Sequence, residues 1–594
     1  MIYQEVFMLK ILKYMNRRDW LFVVCSLVFI VCGVGLDLRL PDYMREITAL
    51  VQTPGSEMGE ILSAGGSMLL CALGSLVTAF IVGFFVAQIA AGLAMRLREA
   101  VYNKTMDFSM EEIGKFSTAS LITRTTNDIQ QIQMFVALGL QAMIKAPILA
   151  VWAILKIAGK SWQWTAITGG AVAILTVMLG TVIALVLPKF KNMQKLTDNL
   201  NRVARENLTG IRVVRAYNAE GYQEKKFEGA NEELTRTNLF TSRTMSVLFP
   251  GMTLIMSGLT LAIYWAGVYI INDAALTDRL GIFSDMVVFS SYAMQIIMAF
   301  MMLVMTFIVL PRAVVSAKRI NEVLDTETKI KDGKISGSEL FEQGEIEFKH
   351  VSFRYPDAEE AILTDISFTV HRGETAAFIG STGSGKSTLI NLVPRFYDVT
   401  DGEICIDGIN IKEYTQEALH RKLGYVSQRA VMFRGSVLSN VTYGENGRQS
   451  VDEELLWKSI EIAQAGDFVQ GMDSGFHTAV AQGGTNLSGG QKQRLAIARA
   501  IYRRPEIYIF DDSFSALDYK TDRILRKMLK QETGTATTLI VAQRIGTIMD
   551  ADKIIVLDEG KIVGIGRHKE LLANCPVYRE IAESQLSKEE LESA

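Results

Sequence analysis

Six apolar stretches, near residues 20–40, 67–90, 135–155, 165–187, 247–271 and 286–310, fill much of the first half of this 594-residue chain and leave it few ways to fold. Each reaches the ~18–20 residues that a helix needs to cross the hydrocarbon core of a bilayer. Within lipid every backbone N–H and C=O must find its partner inside the chain, so runs of this length are expected as membrane-spanning helices rather than strands. No small-residue cleavage site follows a short apolar core in the first stretch, so it is expected to stay as an anchor and not to be removed as a signal. The net charge is −3 and no long Lys/Arg run occurs, which gives a nucleic-acid partner no electrostatic support.

Basic residues flank the stretches on one side. Lys10, Lys13, Arg17 and Arg18 precede the first; Arg96, Arg98, Lys104, Lys115 and Arg124 follow the second; Lys189, Lys191, Lys195, Arg202 and Arg205 follow the fourth; Arg312, Lys318 and Arg319 follow the sixth. The excess places both termini in the cytoplasm. Lys156, Lys160 and Arg279 run against the rule locally. The two long charged connections, near 91–134 and 188–246, are low in proline and keep a helical period, so helical hairpins are expected to protrude into the cytoplasm. Few charges interrupt the spans: Asp37 and Arg39 lie near an end, and Lys145 sits inside the third, where a charge is costly and a functional candidate. The sixth span carries Met294, Met298, Met301, Met302 and Met305 with Phe300 and Phe307. Flexible thioethers suit a pocket for varied hydrophobic shapes, and equally suit plain helix packing.

Past a polar stretch between Arg319 and Gly344 the chemistry changes. Gly380-Ser381-Thr382-Gly383-Ser384-Gly385-Lys386-Ser387-Thr388 fits the phosphate-loop pattern G-x-x-x-x-G-K-[ST] at every fixed position. Thr375 to Ile379 reads as the buried strand before it and Lys386 to Val393 as the helix after it, which is the context the pattern needs. The glycines allow a tight turn whose N–H groups face phosphate, Lys386 would reach the β- and γ-phosphates of ATP, and Ser387 would ligate Mg²⁺. The cysteines Cys25, Cys32, Cys71, Cys405 and Cys575 show neither C-x-x-C spacing nor a companion histidine cluster, so neither a zinc site nor a disulfide framework is indicated.

From Gly344 onward further motifs follow in a fixed order, and this half resembles the nucleotide-binding domain of an ABC transporter. Tyr355 in Val351-Ser-Phe-Arg-Tyr355-Pro matches the adenine-stacking aromatic, and Gln428 in Tyr425-Val-Ser-Gln428 matches the glutamine that senses Mg²⁺ and contacts the membrane domain. Leu487-Ser488-Gly489-Gly490-Gln491 matches the signature unchanged, Ile507 to Asp511 matches the Walker B strand with Asp511 on Mg²⁺, and Ser515-Ala-Leu-Asp518 matches the D-loop. With the six spans, the whole chain resembles a multidrug-exporter-type half-transporter. The resemblance implies a membrane α-helical domain over 1–325, a linker at 326–343, an α/β P-loop nucleotide-binding domain with a helical subdomain over 344–585, and a tail at 586–594. No internal repeat appears, so one membrane half and one nucleotide domain are expected. In the family the signature of one domain faces the phosphate loop of another, so a half-length chain must dimerise. The candidate tips that transmit the motion are 110–116 and 217–223.

Two positions depart from the family pattern. Asp512 stands where a glutamate normally polarises the attacking water, and Gln543 stands where a histidine normally acts as the switch. The carboxylate is one methylene short, and an amide cannot become cationic or shuttle a proton. A misplacement of about 1 Å can cost about 100-fold in rate. The stretch Ala481-Gln-Gly-Gly484 also lacks a glutamate common before the signature. Taken with the intact binding residues, these changes imply the degenerate-site subunit of a bacterial heterodimeric exporter of hydrophobic or amphipathic compounds. Its second half-transporter would carry the competent Walker motifs, completed by this chain's Ser488, Gly489, Gly490 and Gln491. A homodimeric lipid or peptide exporter would share every one of these motifs; a non-transporting ATP-gated channel or regulator is disfavoured, since no regulatory insert is visible; and a soluble P-loop ATPase is excluded by the six spans.

Overall fold

The computed structural model describes all residues except 1, 54–55, 159–160, 276–277, 337–343, 357, 445–449 and 587–594, and the side chains of 2–6, 191, 194, 305 and 307–308 are likewise outside the described set. The described residues separate into two compact units, Met1–Met106 with Thr118–Thr326, and Asp107–Ser117 with Glu327–Ala594.

In the first unit six helices are long and apolar enough to cross a membrane: Arg17–Gln52, Met58–Met106, Thr118–Ile157, Trp162–Thr209, Glu220–Asp273 and Arg279–Leu324. Each contains one of the six expected stretches, and each runs past it. The 48 residues of Trp162–Thr209 rise about 70 Å at 1.5 Å per residue, more than twice the ~30 Å of a hydrocarbon core. Large apolar side chains such as Leu70 and Phe80 are left 71% and 77% exposed, which suits lipid and not water. Where the helices meet, Trp164 packs on Phe289 with ring centroids 5.5 Å apart, beside the fully buried Tyr292.

The third span is not a uniform α-helix. It widens to π-helix over Arg124–Asp128 and Phe135–Gly139. The first wide turn buries Arg124 and Asp128, and the last span answers both charges. Arg124 Nη1 donates to Glu322 Oε2 (2.9 Å), while Asp128 Oδ1 accepts from Ser316 Oγ (2.9 Å) and Asp128 Oδ2 pairs with Arg319 at 3.3 Å. Lys145 is paired as well, donating to Asp37 Oδ2 at 3.2 Å, and Ser75 donates to the other oxygen of Asp37. Farther along the first and third spans, Lys156 donates to Asp42, which also accepts from the Tyr292 hydroxyl of the sixth span, each at 2.6 Å. Lys145 therefore serves an ion pair between spans.

The second unit stacks two sheets. The first is antiparallel, with Leu363–Val370, Ile346–Phe353, Asp401–Ile406 and Ile409–Asn410 side by side in that order. The second comprises β1 (Thr375–Gly380), β2 (Leu423–Val426), β3 (Ile507–Asp511), β4 (Thr537–Val541), β5 (Lys553–Asp558) and β6 (Lys561–Gly566). Its order is β6-β5-β1-β4-β3-β2, parallel except for the edge strand β6. All five residues of β3 and of β4 are buried, as strands covered on both faces must be. One core lies between the sheets around Phe348, Phe378 and Leu389, and a second lies between the parallel sheet and helices that include Glu453–Ile462 and Gly489–Arg503.

Asp107–Ser117 groups with this second unit although both flanking chain segments belong to the first. Its helix Met110–Phe116 starts at Ser109, which caps Glu111 N, while Glu112 reaches back to Ser109 N at 2.8 Å. Glu112 also accepts from Lys329 N (3.2 Å), and Lys329 Nζ pairs with Glu111. The stretch expected as linker is bonded in its described part: Gly333 N and Ile335 N donate to Tyr414 O and Glu413 O at 3.0 and 2.9 Å. Residues 337–343 of that linker and 587–594 of the expected tail lie outside the described residues.

Candidate functional site

Parallel strands bring their carboxyl ends to one edge, where open α/β sheets bind ligands. The phosphate loop follows β1, Gln428 follows β2, Asp511 and Asp512 close β3, and Gln543 follows β4. Since β1, β4, β3 and β2 are adjacent in that order, four sequence motifs spread over more than 160 residues meet along one rim.

The loop's backbone explains its glycines. Gly380 (φ 154°) leaves no room for a side chain, because a Cβ there would lie 1.9 Å from Leu557 O; Gly385 is left-handed at φ 94°. Lys386 folds back into the loop and donates to Gly380 O (2.9 Å), Ser381 O (2.7 Å) and Ser384 Oγ (3.3 Å). Burial lowers its pKa, and the nearby Asp512 and Asp511 oppose that. Ser387 Oγ donates to Asp511 Oδ1 at 2.8 Å. Thr388 Oγ1 lies 3.2 Å from the Tyr355 hydroxyl, whose ring stands edge-on to Phe353 and Tyr397 at 4.9 and 5.3 Å. The motif's Ser381 also donates weakly to Asp558 at the end of β5 (3.4 Å).

Asp512 is a left-handed residue at φ 45°, a conformation aspartate tolerates better than most side chains. Its Oδ2 accepts from Gln543 Nε2 at 2.8 Å and from Gln428 Nε2 at 3.5 Å. Thus the two positions that depart from the family pattern touch each other. Burial pushes both Asp511 and Asp512 above the ordinary aspartate range; the Ser387 bond counters this at Asp511, and the Gln428 bond counters it at Asp512.

Ser488, Gly489, Gly490 and Gln491 open a helix of their own, with Gly490 against the D-loop, where an added Cβ would lie 3.3 Å from Ala516 O. Ser488 is the N-cap of the helix Gly489–Arg503, accepting from Gln491 N (3.3 Å), while Gln491 Oε1 accepts from Ser488 N (2.8 Å). None of the described hydrogen bonds joins them to the chain's own phosphate loop, and Ser488 and Gly489 are exposed. Farther along the same helix the buried Gln493 donates to Ser427 O at 3.3 Å, tying the signature helix to the segment that carries Gln428. Among the contacts that no motif announced are this one and that of Gln585, which bonds the backbone on either side of Arg544.

Residues 23–300 match the family described as ABC transporter transmembrane region, and residues 363–515 match the family described as ABC transporter. An uncharacterized ABC transporter ATP-binding protein of Mycobacterium bovis is 40% identical over 91% of this chain and 93% of its own length. The chain belongs to the ABC transporter family. An ATP-dependent lipid A-core flippase of Pseudomonas aeruginosa is 32% identical over 83% of the chain and 80% of its own length. A multidrug resistance ABC transporter ATP-binding and permease protein of Lactococcus lactis is 30% identical over 98% and 95%. The structure of a bacterial Atm1-family ABC exporter with ATP bound superposes with TM-score 0.79 over 96% of this chain and all of that one, at 24% identity, and so shows the same fold. This ABC transporter is thus a membrane-embedded half-transporter of the exporter type, which binds and hydrolyses ATP to drive transport and works as a dimer.

Proposed function

We propose that this ABC transporter is the degenerate-site subunit of a heterodimeric exporter in a bacterial cytoplasmic membrane. Its nucleotide-binding unit and both termini face the cytoplasm, in keeping with the basic flanks of the spans. The observation that carries the reading is the bond between Gln543 Nε2 and Asp512 Oδ2. The position that should polarise water is a short carboxylate hydrogen-bonded by an amide, and that amide can neither accept a proton nor carry charge. General-base catalysis depends on placement before basicity, so the raised pKa of Asp512 does not restore it.

Binding, in contrast, is fully equipped. The oxygens of Ser387 and Asp511, 2.8 Å apart, with the amide oxygen of Gln428, would supply the hard-oxygen donors that Mg²⁺ requires. When bound, Mg²⁺ supplies charge neutralisation for the β- and γ-phosphates. Lys386 and the loop N–H groups hold the phosphates, and Tyr355 offers its ring to adenine. Ser488 to Gln491 form a solvent-facing helix start, available to the ATP of a second half-transporter. Residues 110–116 and 217–223 are the candidate tips for transmitting motion, and Tyr217 and Tyr222 in the second are 79% and 70% exposed.

For the transported compound, the methionines of the sixth span divide. Met301 and Met302 pack against the core, Met298 is 43% exposed, and Met294 lines an open groove of about 500 Å³ with Thr253, Met256, Ser257, Thr260, Leu261 and Tyr264. Met305 and Phe307 have side chains outside the described residues. A groove of thioethers and hydroxyls favours hydrophobic compounds with a polar end. Relatives named for lipid and for multidrug transport both fit that class. The test is co-expression with a half-transporter that carries the missing glutamate and histidine. In the purified complex Ser488→Ala is expected to lower ATP turnover more than Lys386→Ala does. Full turnover by this chain alone, lost on Lys386→Ala, would overturn the proposal.

A further inference from the structure

The helix Pro576–Gln585 ends against the segment that carries Gln543. Gln585 Oε1 accepts from Ile545 N (2.8 Å) and Gln585 Nε2 donates to Gln543 O (2.8 Å), so one side-chain amide grips the main chain on both sides of Arg544. The helix that presents it is firmly seated. Tyr578 and Ala582 are fully buried in one cluster with Ile545, Ile548 and Leu571, and the Tyr578 hydroxyl lies 2.7 Å from His568 Nδ1. Gln585 itself is exposed and adds no apolar burial. Its geometry does one thing: it fixes the backbone from which the Gln543 amide reaches Asp512 Oδ2, which also accepts from Gln428.

We propose that Gln585 is a positioning residue for the nucleotide site, setting the Gln543 main chain so that its amide is held against Asp512 and toward the terminal phosphate of bound ATP. The C-terminal helix is thereby part of the ATP site through a single amide. This rests on the reading of the rim as a nucleotide site, and is independent of whether that site is degenerate.

The experiment uses the full-length chain in lipid nanodiscs and a fluorescent ATP analogue with Mg²⁺, measuring affinity and thermal midpoint for Gln585→Ala, Gln543→Ala and the double variant. Losing hydrogen bonds of this kind weakens the site by about five-fold for each kcal/mol-sized contact. Gln585→Ala is expected to lower affinity about five-fold with little change in midpoint, and to have no further effect once Gln543 is alanine, because it acts through that residue. Gln585→Glu, which can still accept from Ile545 N but cannot donate to Gln543 O, is expected to behave like the alanine variant. Unchanged affinity, or an equal loss with and without Gln543, would overturn the proposal. So would a lowered midpoint with affinity intact. Lys386→Ala separates the two levels: if it leaves binding unchanged, the nucleotide-site reading fails; if it abolishes binding while Gln585→Ala does nothing, only the role of Gln585 fails.

Discussion

Asp512 and Gln543 meet at 2.8 Å, and each explains the tolerance of the other. An aspartate at φ 45° would otherwise hold a buried carboxylate short of hydrogen-bond donors, which is costly; the Gln543 amide supplies one. Restoring the family pattern means changing both. Asp512→Glu with Gln543→His is expected to raise the ATP turnover of the purified chain by ten-fold or more, within the about 100-fold that correct placement is worth. Either change alone should give less, since residues in contact are not additive. Turnover in the double variant no higher than in the parent would remove these positions from the explanation. The sequence made both departures legible because they fall inside fixed motifs. It did not show that they touch, since the chain between them leaves β3, passes through the helix Tyr519–Glu532 and only then returns beside β3 as β4.

At the scale of elements, the spans and two of the parallel strands, those at Thr375–Ile379 and Ile507–Asp511, were readable from apolar runs and motifs, because each is a local consequence of burial on one or two faces. What joins elements was not. Lys145 stood out as a charge in lipid, but its partner Asp37 is 108 residues away, and no local pattern encodes that distance. Lys145→Ala leaves the Asp37 carboxylate without its cation, an expected cost of about 1–3 kcal/mol, seen as a lower thermal midpoint in detergent. Asp37→Asn should recover most of it in the alanine background. The π turns over Arg124–Asp128 were likewise unforeseen; they serve charges answered from the last span. Gln585 escaped notice because nothing nearby marks it as part of a motif.

His568 gives a pH dependence that belongs to the helix pair His568–Asn574 and Pro576–Gln585. Burial lowers its pKa from 6.5, with Asp550 raising it and Lys569 lowering it to lesser degrees. The folded imidazole thus resists a proton that the unfolded chain accepts. Stability is unaffected above the unfolded value and falls as pH drops through about 6.5 toward the lower folded value. Denaturant unfolding of the nucleotide-binding unit between about pH 5 and 7.5 should show that slope, and His568→Gln should flatten it. An unchanged slope in the variant would assign it to other groups.

For the whole molecule, the proposed degenerate-site subunit grips ATP with its own motifs and leaves the cleavage to a site completed elsewhere. The direct measurement is to load the purified, partner-free chain with radiolabelled ATP and Mg²⁺, wash it, and identify the nucleotide that remains bound. The account predicts intact ATP, retained by the parent chain and lost from Lys386→Ala; bound nucleotide recovered largely as ADP, formed by the chain alone at the rate of its Asp512→Glu, Gln543→His variant, would contradict it.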